Sequence, residues 1–200
     1  MTTDYELPFP QYRCPTCGKD LPLGEARMTV TCGHHVEQPT ADYSVRQATP
    51  DDRQAIELIC DRAQGETEVD VFGSTFDVLS SVNLIAEIGG ELAGVLSFVV
   101  DTGELSVVLL SVYPEYQGTG VGSGLLAAAE EWAAERGLPF MRAASSNDDA
   151  PFIFFLQRHG FVLYEVAIGE IADRLGAAVP GFSGIPMRDE LRLRKAVSPK

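Results

Sequence analysis

Lysine is nearly missing from this chain. Of its 15 basic residues only Lys19, Lys195 and Lys200 are lysine, and none stands between the first two. A P-loop, GxxxxGK followed by Ser or Thr, is thereby excluded from the middle of the sequence, because its lysine reaches the phosphates. Positive charge as a whole is short, since 29 acidic residues leave a net charge of −14. Nucleic acid demands a basic patch for its phosphates and is excluded as a partner; cationic small molecules or basic peptide segments are favoured. An acidic, lysine-poor surface suits a saline cytoplasm, although a GC-rich genome accounts for the lysine shortage equally well. No run of eighteen apolar residues exists, and the N-terminus lacks a charged-then-apolar signal. A soluble, cytoplasmic protein with no membrane association is expected. Cysteine is also scarce, with four residues, three of them within the first 32.

Those three belong to a pattern. Cys14-Pro15-Thr16-Cys17-Gly18 is followed by Cys32-Gly33-His34-His35, with fourteen residues between Cys17 and Cys32. Cys-x-x-Cys followed by Cys-x-x-His gives four N/S donors at spacings that suit tetrahedral zinc. The ligand set is Cys14, Cys17, Cys32 and His35; His35 repeats the i, i+3 spacing, and His34 is the alternative fourth ligand. Gly18 and Gly33 fit tight knuckle turns and Thr29–Thr31 a short strand, so residues 1–41 resemble a zinc ribbon. Disulfide pairing is disfavoured in a cytosolic chain, and a redox Cys-x-x-Cys leaves the second cluster unexplained. About forty residues bury too little apolar surface to fold alone, so a metal would hold this unit together. It also offers a surface for a protein partner. Cys60, by contrast, falls in the apolar helical stripe Ile56, Ile59, Cys60, Ala63 and reads as a buried small hydrophobe.

The remaining residues, 42–200, are organised around Ser111–Arg136, SVYPEYQGTGVGSGLLAAAEEWAAER. An apolar strand breaks at Pro114, crosses a glycine-rich turn and becomes a helix whose Val121, Leu125, Ala128 and Trp132 recur at helical period. Gly118, Gly120, Gly122 and Gly124 strip side chains from the first turn, where four backbone N–H groups lack intrahelical partners. The helix dipole adds roughly half a positive charge there. A phosphate or pyrophosphate site is the physical reading. A Rossmann GxGxxG fails, because Ser123 stands where its third glycine belongs. The pattern Q/R-x-x-G-x-G/A is met by Gln117, Gly120 and Gly122.

At this point the chain resembles the GNAT superfamily of acyl-CoA-dependent N-acetyltransferases. The resemblance includes V-Y-P-E-Y before the turn, Asn147-x-x-Ala150, and Leu156-x-x-x-Gly160-Phe161, and it spans roughly residues 43–196. The surrounding pattern agrees. A first strand over Tyr43–Gln47 precedes a helix opened by Thr49-Pro50-Asp51-Asp52. Gln64–Ser81 reads as irregular and acidic. A hairpin turns at Gly89-Gly90, a central strand covers Glu104–Val112, and further strands fall at 138–143, 161–168 and 191–194. A helix covers 149–159 and a loop 179–186. The implied fold is α+β, a mixed central sheet with flanking helices.

The resemblance implies an enzyme that moves an acetyl group from acetyl-CoA to an amine by direct attack on the thioester. A CoA-binding or protein-interaction module with little or no catalysis, the zinc ribbon doing the recognising, is the alternative. Carried onto this sequence, Leu110 and Val112 would hold the pantetheine arm and Gln117, Gly118, Thr119, Gly120, Val121 and Gly122 the pyrophosphate. Asn147 would contact the cofactor, or cap the helix from Asp148, or both. The Leu110 N–H could stabilise the oxyanion. Leu156 occupies the position where the family often carries a tyrosine that protonates the departing thiolate. Tyr113, Tyr116 and Tyr164 are the substitutes to consider. Glu87, Glu104 and Glu115 are candidates for the base, each equally readable as a solvated carboxylate. The acceptor is read as a small-molecule amine or basic peptide, drawn by Glu66, Glu68, Asp70 and Asp77, though these acids could equally serve only to solvate a loop.

Overall fold

The computed structural model describes residues 11–13, 20–22, 42–181 and 184–198. The chain divides into two units, residues 1–40 with Gly118–Gly120, and residues 41–117 with 121–200. In the first, β1 (Gln11–Arg13) and β2 (Asp20–Pro22) pair antiparallel with Tyr12 opposite Leu21. The metal ligands expected from the sequence, Cys14, Cys17, Cys32 and His35 with His34 as alternate, lie outside the described residues.

The larger unit begins with β3 (Ser44–Gln47). Thr49 then turns the chain: its N–H and hydroxyl donate to Asp52 at 2.7 and 2.9 Å. With Pro50 at the first position this launches a 3₁₀ turn and then α1 (Arg53–Gln64). Ile56, Ile59 and Cys60 are buried as the stripe requires, but Ala63 is exposed. The segment after α1 is not irregular. It forms a hairpin, β4 (Glu68–Val71) with β5 (Ser74–Asp77), turning at Phe72 and Gly73, both at positive φ (56° and 72°). Phenylalanine is no turn signal, and left-handed backbone is costly for it. The Phe72 N–H donates to both carboxylate oxygens of Glu190 at 3.2 Å, and the Arg142 guanidinium lies 4.3 Å over its ring. Partners 118 and 70 residues away thus hold a turn that local sequence does not announce.

The sheet continues with β6 (Val82–Ile88), β7 (Glu91–Asp101) and β8 (Glu104–Val112), then α2 (Val121–Glu135), β9 (Phe140–Ser146) and α3 (Ala150–Arg158). After β10 (Val162–Ala167) comes a short helix that no sequence pattern announces, α4 (Glu170–Leu175). Two-residue bridges β11 (Val179–Pro180) and β12 (Pro186–Met187) close the loop before β13 (Glu190–Ala196). Seven of the described strands form one sheet in the order β10-β13-β9-β8-β7-β6-β3, antiparallel except at β8–β9. One face packs Leu105, Val107, Met141 and Ala143 under α2 and α3, with Leu156 fully buried. The other packs Ile85, Val95 and Leu109 under α1. The buried stripe of α2 runs through Val121, Leu125, Leu126, Ala129 and Ala133, turned from the one that periodicity suggests. Ala128 and Trp132 are only half-buried; Trp132 meets Phe98 edge-on at 4.7 Å and carries Arg136 over its other surface.

Candidate active site

The parallel pairing in the sheet is brief. β8 and β9 are in register at Leu105–Met141 and Ser106–Arg142 and then part. Just past that point β8 carries a bulge: Ser97 faces Leu109 and Phe98 faces Val107, leaving Val108 as the extra residue. Beyond the bulge one edge of β8 has none of the described strands beside it. The Tyr113 N–H donates to Ala93 O on the β7 side, while Val112 O accepts from Gln117 Nε2 at 3.0 Å on the other side. Backbone groups alternate along a strand, so Leu110 and Val112 present theirs to the opening and Ser111 to β7. Gln117 therefore already uses the Val112 carbonyl.

The four glycines after β8 have different reasons. Gly118 and Gly120 sit at φ +79° and +95°, backbone that L-residues rarely adopt. A Cβ on Gly124 would fall 2.4 Å from Tyr43 Oη, so that glycine serves packing. Gly122 answers to neither demand: its Cβ would meet Phe155 and Val112 at an ordinary 3.6–3.7 Å. Its bare Cα stands in the first turn of α2, where backbone N–H groups have no partner within the helix. Beside it the His159 Nδ1–H donates to Phe155 O at 2.8 Å, and Nε2 lies 3.0 Å from Ser123 Oγ.

The other residues that sequence patterns single out scatter, and tertiary placement shows why. Asn147 caps nothing. Its Nδ2 donates to Pro186 O, and its Oδ1 accepts from the N–H groups of Arg188 and Asp189, which ties down the approach to β13. The cap of α3 is Asp149, accepting from Phe152 N–H at 3.0 Å; burial raises that carboxyl's pKa. Leu156 packs in the core with no exposure. Tyr113 lies against the α1-side core with Arg62 5.2 Å from its ring, whereas Tyr116 packs against the α2-side core. Tyr164 is exposed on the edge strand β10, two strands removed from β9. Glu87 is paired with Arg46 of the edge strand β3, Glu104 with Arg194 at the opposite end of β8, and Glu115 is exposed.

On the α1 side, the parting of β8 and β9 opens into a cleft of about 420 Å³. Val108 of the bulge and Ala144–Ser146 form its floor, and Glu66, Glu68, Asp70 and Glu190 bring carboxylates to its walls. Asp77 is elsewhere, accepting from Leu79 N–H and Ser80 Oγ. No cation interrupts Glu66, Glu68, Asp70 and Asp77 in sequence, but the fold supplies Arg174, 3.5 Å from Asp70. Glu190 is the residue that sequence patterns miss: it is 3% exposed, holds the Phe72 turn and pairs with Arg192 at 2.7 Å. Nothing in MRDE announces that burial. Among the described residues no group of three or more His, Cys, Asp or Glu is set to hold a metal, and no helix is long and apolar enough to cross a membrane.

Residues 48–161 match the model of the Acetyltransferase (GNAT) family. The uncharacterized protein YxbD of Bacillus subtilis (strain 168) is 27% identical over 109 residues, covering 52% of this chain and 67% of that protein. Among solved structures, the IAA acetyltransferase from Bacillus cereus ATCC 14579 superposes with a TM-score of 0.60 at 18% identity, over 78% of this chain and 99% of that one. A Bacillus subtilis acetyltransferase in complex with CoA gives a TM-score of 0.59 at 20% identity, over 78% and 98%. At these identities the superpositions bear on the fold alone.

Proposed function

We propose a site and a substrate class for this chain, which belongs to the acetyltransferase (GNAT) family and transfers an acetyl group from acetyl-CoA to an amine. The pantetheine arm pairs with the open edge of β8 at Leu110 and Val112, and Gln117, Gly118, Thr119, Gly120, Val121 and Gly122 take the pyrophosphate. The observation that carries this reading is the parting of β8 from β9 beside a helix start whose Gly122 neither packing nor dihedral angle requires. The Leu110 N–H faces the gap and is the oxyanion donor. The Val112 N–H remains for the arm, and its carbonyl keeps one lone pair beyond the Gln117 bond.

The amine enters from the other side, through the cleft walled by Glu66, Glu68, Asp70 and Glu190. Two arginines, Arg174 on Asp70 and Arg192 on Glu190, against four carboxylates leave a net negative field, which favours a cationic amine or basic peptide terminus and weakens with salt. Calorimetry tests the cofactor half: the wild type binds acetyl-CoA, and Gly120→Glu, which adds bulk and charge to the loop, does not. No binding to the wild type sinks the site.

Residues 1–41 form a separate zinc-ribbon unit in the same proposal, with one Zn²⁺ on Cys14, Cys17, Cys32 and His35 and a surface for a protein partner. Donor chemistry and spacing support it, and a cytoplasmic setting goes with it, where thiolates persist unoxidised. Elemental analysis of chelator-free protein should find about one zinc per chain; a metal-free preparation refutes the ribbon.

A further inference from the structure

One buried polar atom in the larger unit has no partner among the described residues and lies where the two halves of the site meet. Ser145 is 8% exposed, and its Oγ makes no hydrogen bond. A buried hydroxyl left unpaired is costly, so a sequence retains one where something else uses it.

Its position identifies the user. Along β9 the buried positions alternate, Met141, Ala143, Ser145, and the first two belong to the core under α2 and α3. Alternation puts the Ser145 side chain on that same face, the face covered by α2 and α3. In chain order Ser145 stands three residues past Arg142, the last residue of β9 in register with β8. Continuing that register across the Val108 bulge sets it opposite Leu110. Ser145 also lines the cleft on the α1 side. It therefore stands at the junction of the cofactor side and the amine side, across the gap from the N–H assigned to the carbonyl oxygen.

We propose that the Ser145 hydroxyl donates a hydrogen bond to the sulfur of CoA and so stabilises the departing thiolate, the task for which Leu156 has no group. This rests on the CoA site proposed above. In the transfer, the amine nitrogen forms the new C–N bond and the C–S bond breaks with its electron pair going to sulfur. The amine's proton passes to water in the cleft. Ser145 keeps its own proton and only orients it. A thiol ionises at about pH 8.5, so the leaving sulfur needs a donor more than it needs an acid.

The test compares CoA with desulfo-CoA, which lacks the sulfur, by calorimetry at pH 9, together with thermal melts of the unliganded protein. Ser145→Ala should lose about tenfold or more in CoA affinity, the effect of a hydrogen bond to a charged group, and leave desulfo-CoA affinity unchanged. Its unliganded form should melt no lower than the wild type, because an unpaired buried hydroxyl has been removed. Ser145→Thr, which keeps the hydroxyl, should retain the preference for CoA. Ser145→Gly provides a second hydroxyl-free variant if the alanine protein does not fold. Equal CoA-to-desulfo-CoA ratios in the wild type and the hydroxyl-free variants overturn this inference while leaving the CoA site intact. Failure of the wild type to bind either ligand overturns the site itself.

Discussion

Gly122 and Gly124, two residues apart on the first turn of α2, should respond oppositely to the same substitution. Gly122→Ala places a methyl 3.6 Å from Phe155 Cζ and 3.7 Å from Val112 Cγ2, ordinary van der Waals contact. Alanine's helix propensity then adds up to about 1 kcal/mol, which in a domain of this size raises Tm by about 2–4 °C. Gly124→Ala has the same propensity gain. Its Cβ, however, would fall 2.4, 2.5 and 2.8 Å from Tyr43 Oη, Cε2 and Cζ, and that ring packs against the main core. Swinging the ring away is overpacking at about 1–3 kcal/mol, which cancels or exceeds the gain. Melting followed by circular dichroism should therefore place Gly122→Ala above the wild type and Gly124→Ala at or below it. Adding Tyr43→Val should relieve Gly124→Ala, with a coupling of about 1 kcal/mol or more in the double-mutant cycle. Acetyl-CoA affinity should survive Gly122→Ala, since the motif admits alanine there. A Gly124→Ala protein that melts as high as Gly122→Ala would refute the assignment of Gly124 to packing against Tyr43.

Further outcomes follow from the same geometry. Burial pushes the Cys60 thiol up to about 11, so an aromatic disulfide reagent at pH 8 should leave Cys60 unmodified until the protein is unfolded; prompt native-state labelling contradicts the packing. The Arg46 guanidinium bonded to Asp52 holds that carboxyl well below the usual range. A depressed folded pKa stabilises fully above the unfolded value of about 4 and is lost as pH falls through the folded one. Asp52→Asn should accordingly lower the urea midpoint at pH 7 and lose less further stability below pH 4 than the wild type does. Leu156→Tyr should not install an acid: the site is fully buried, so the added bulk should cost about 1–3 kcal/mol with no gain in rate. Neutralising Glu66, Glu68 and Asp70 together should raise KM for a cationic acceptor and leave CoA affinity unchanged; an anionic best substrate would end that reading.

Features under short-range control were legible in the chain alone. Glycine pairs and capping residues act within a few positions, so the Gly89-Gly90 hairpin, the Thr49-Pro50 helix start and the glycine-rich entry to α2 could all be read directly. So could the mixed sheet, because apolar period and chain order constrain it. Family motifs then brought acetyl transfer with them. Whatever depends on partners distant in the chain waited for the folded arrangement. Phe72 adopts a left-handed turn only because Glu190 and Arg142 reach it. Asn147 bonds to residues 186–189 instead of capping a helix. Arg174 enters an acidic wall that is uninterrupted in sequence. The bulge at Val108 and the parting of β8 from β9 leave no mark in composition or periodicity, for the two strands lie about one helix apart in the chain. Only pairing shows where they stop touching, and that is what sets the unpaired Ser145 hydroxyl opposite Leu110.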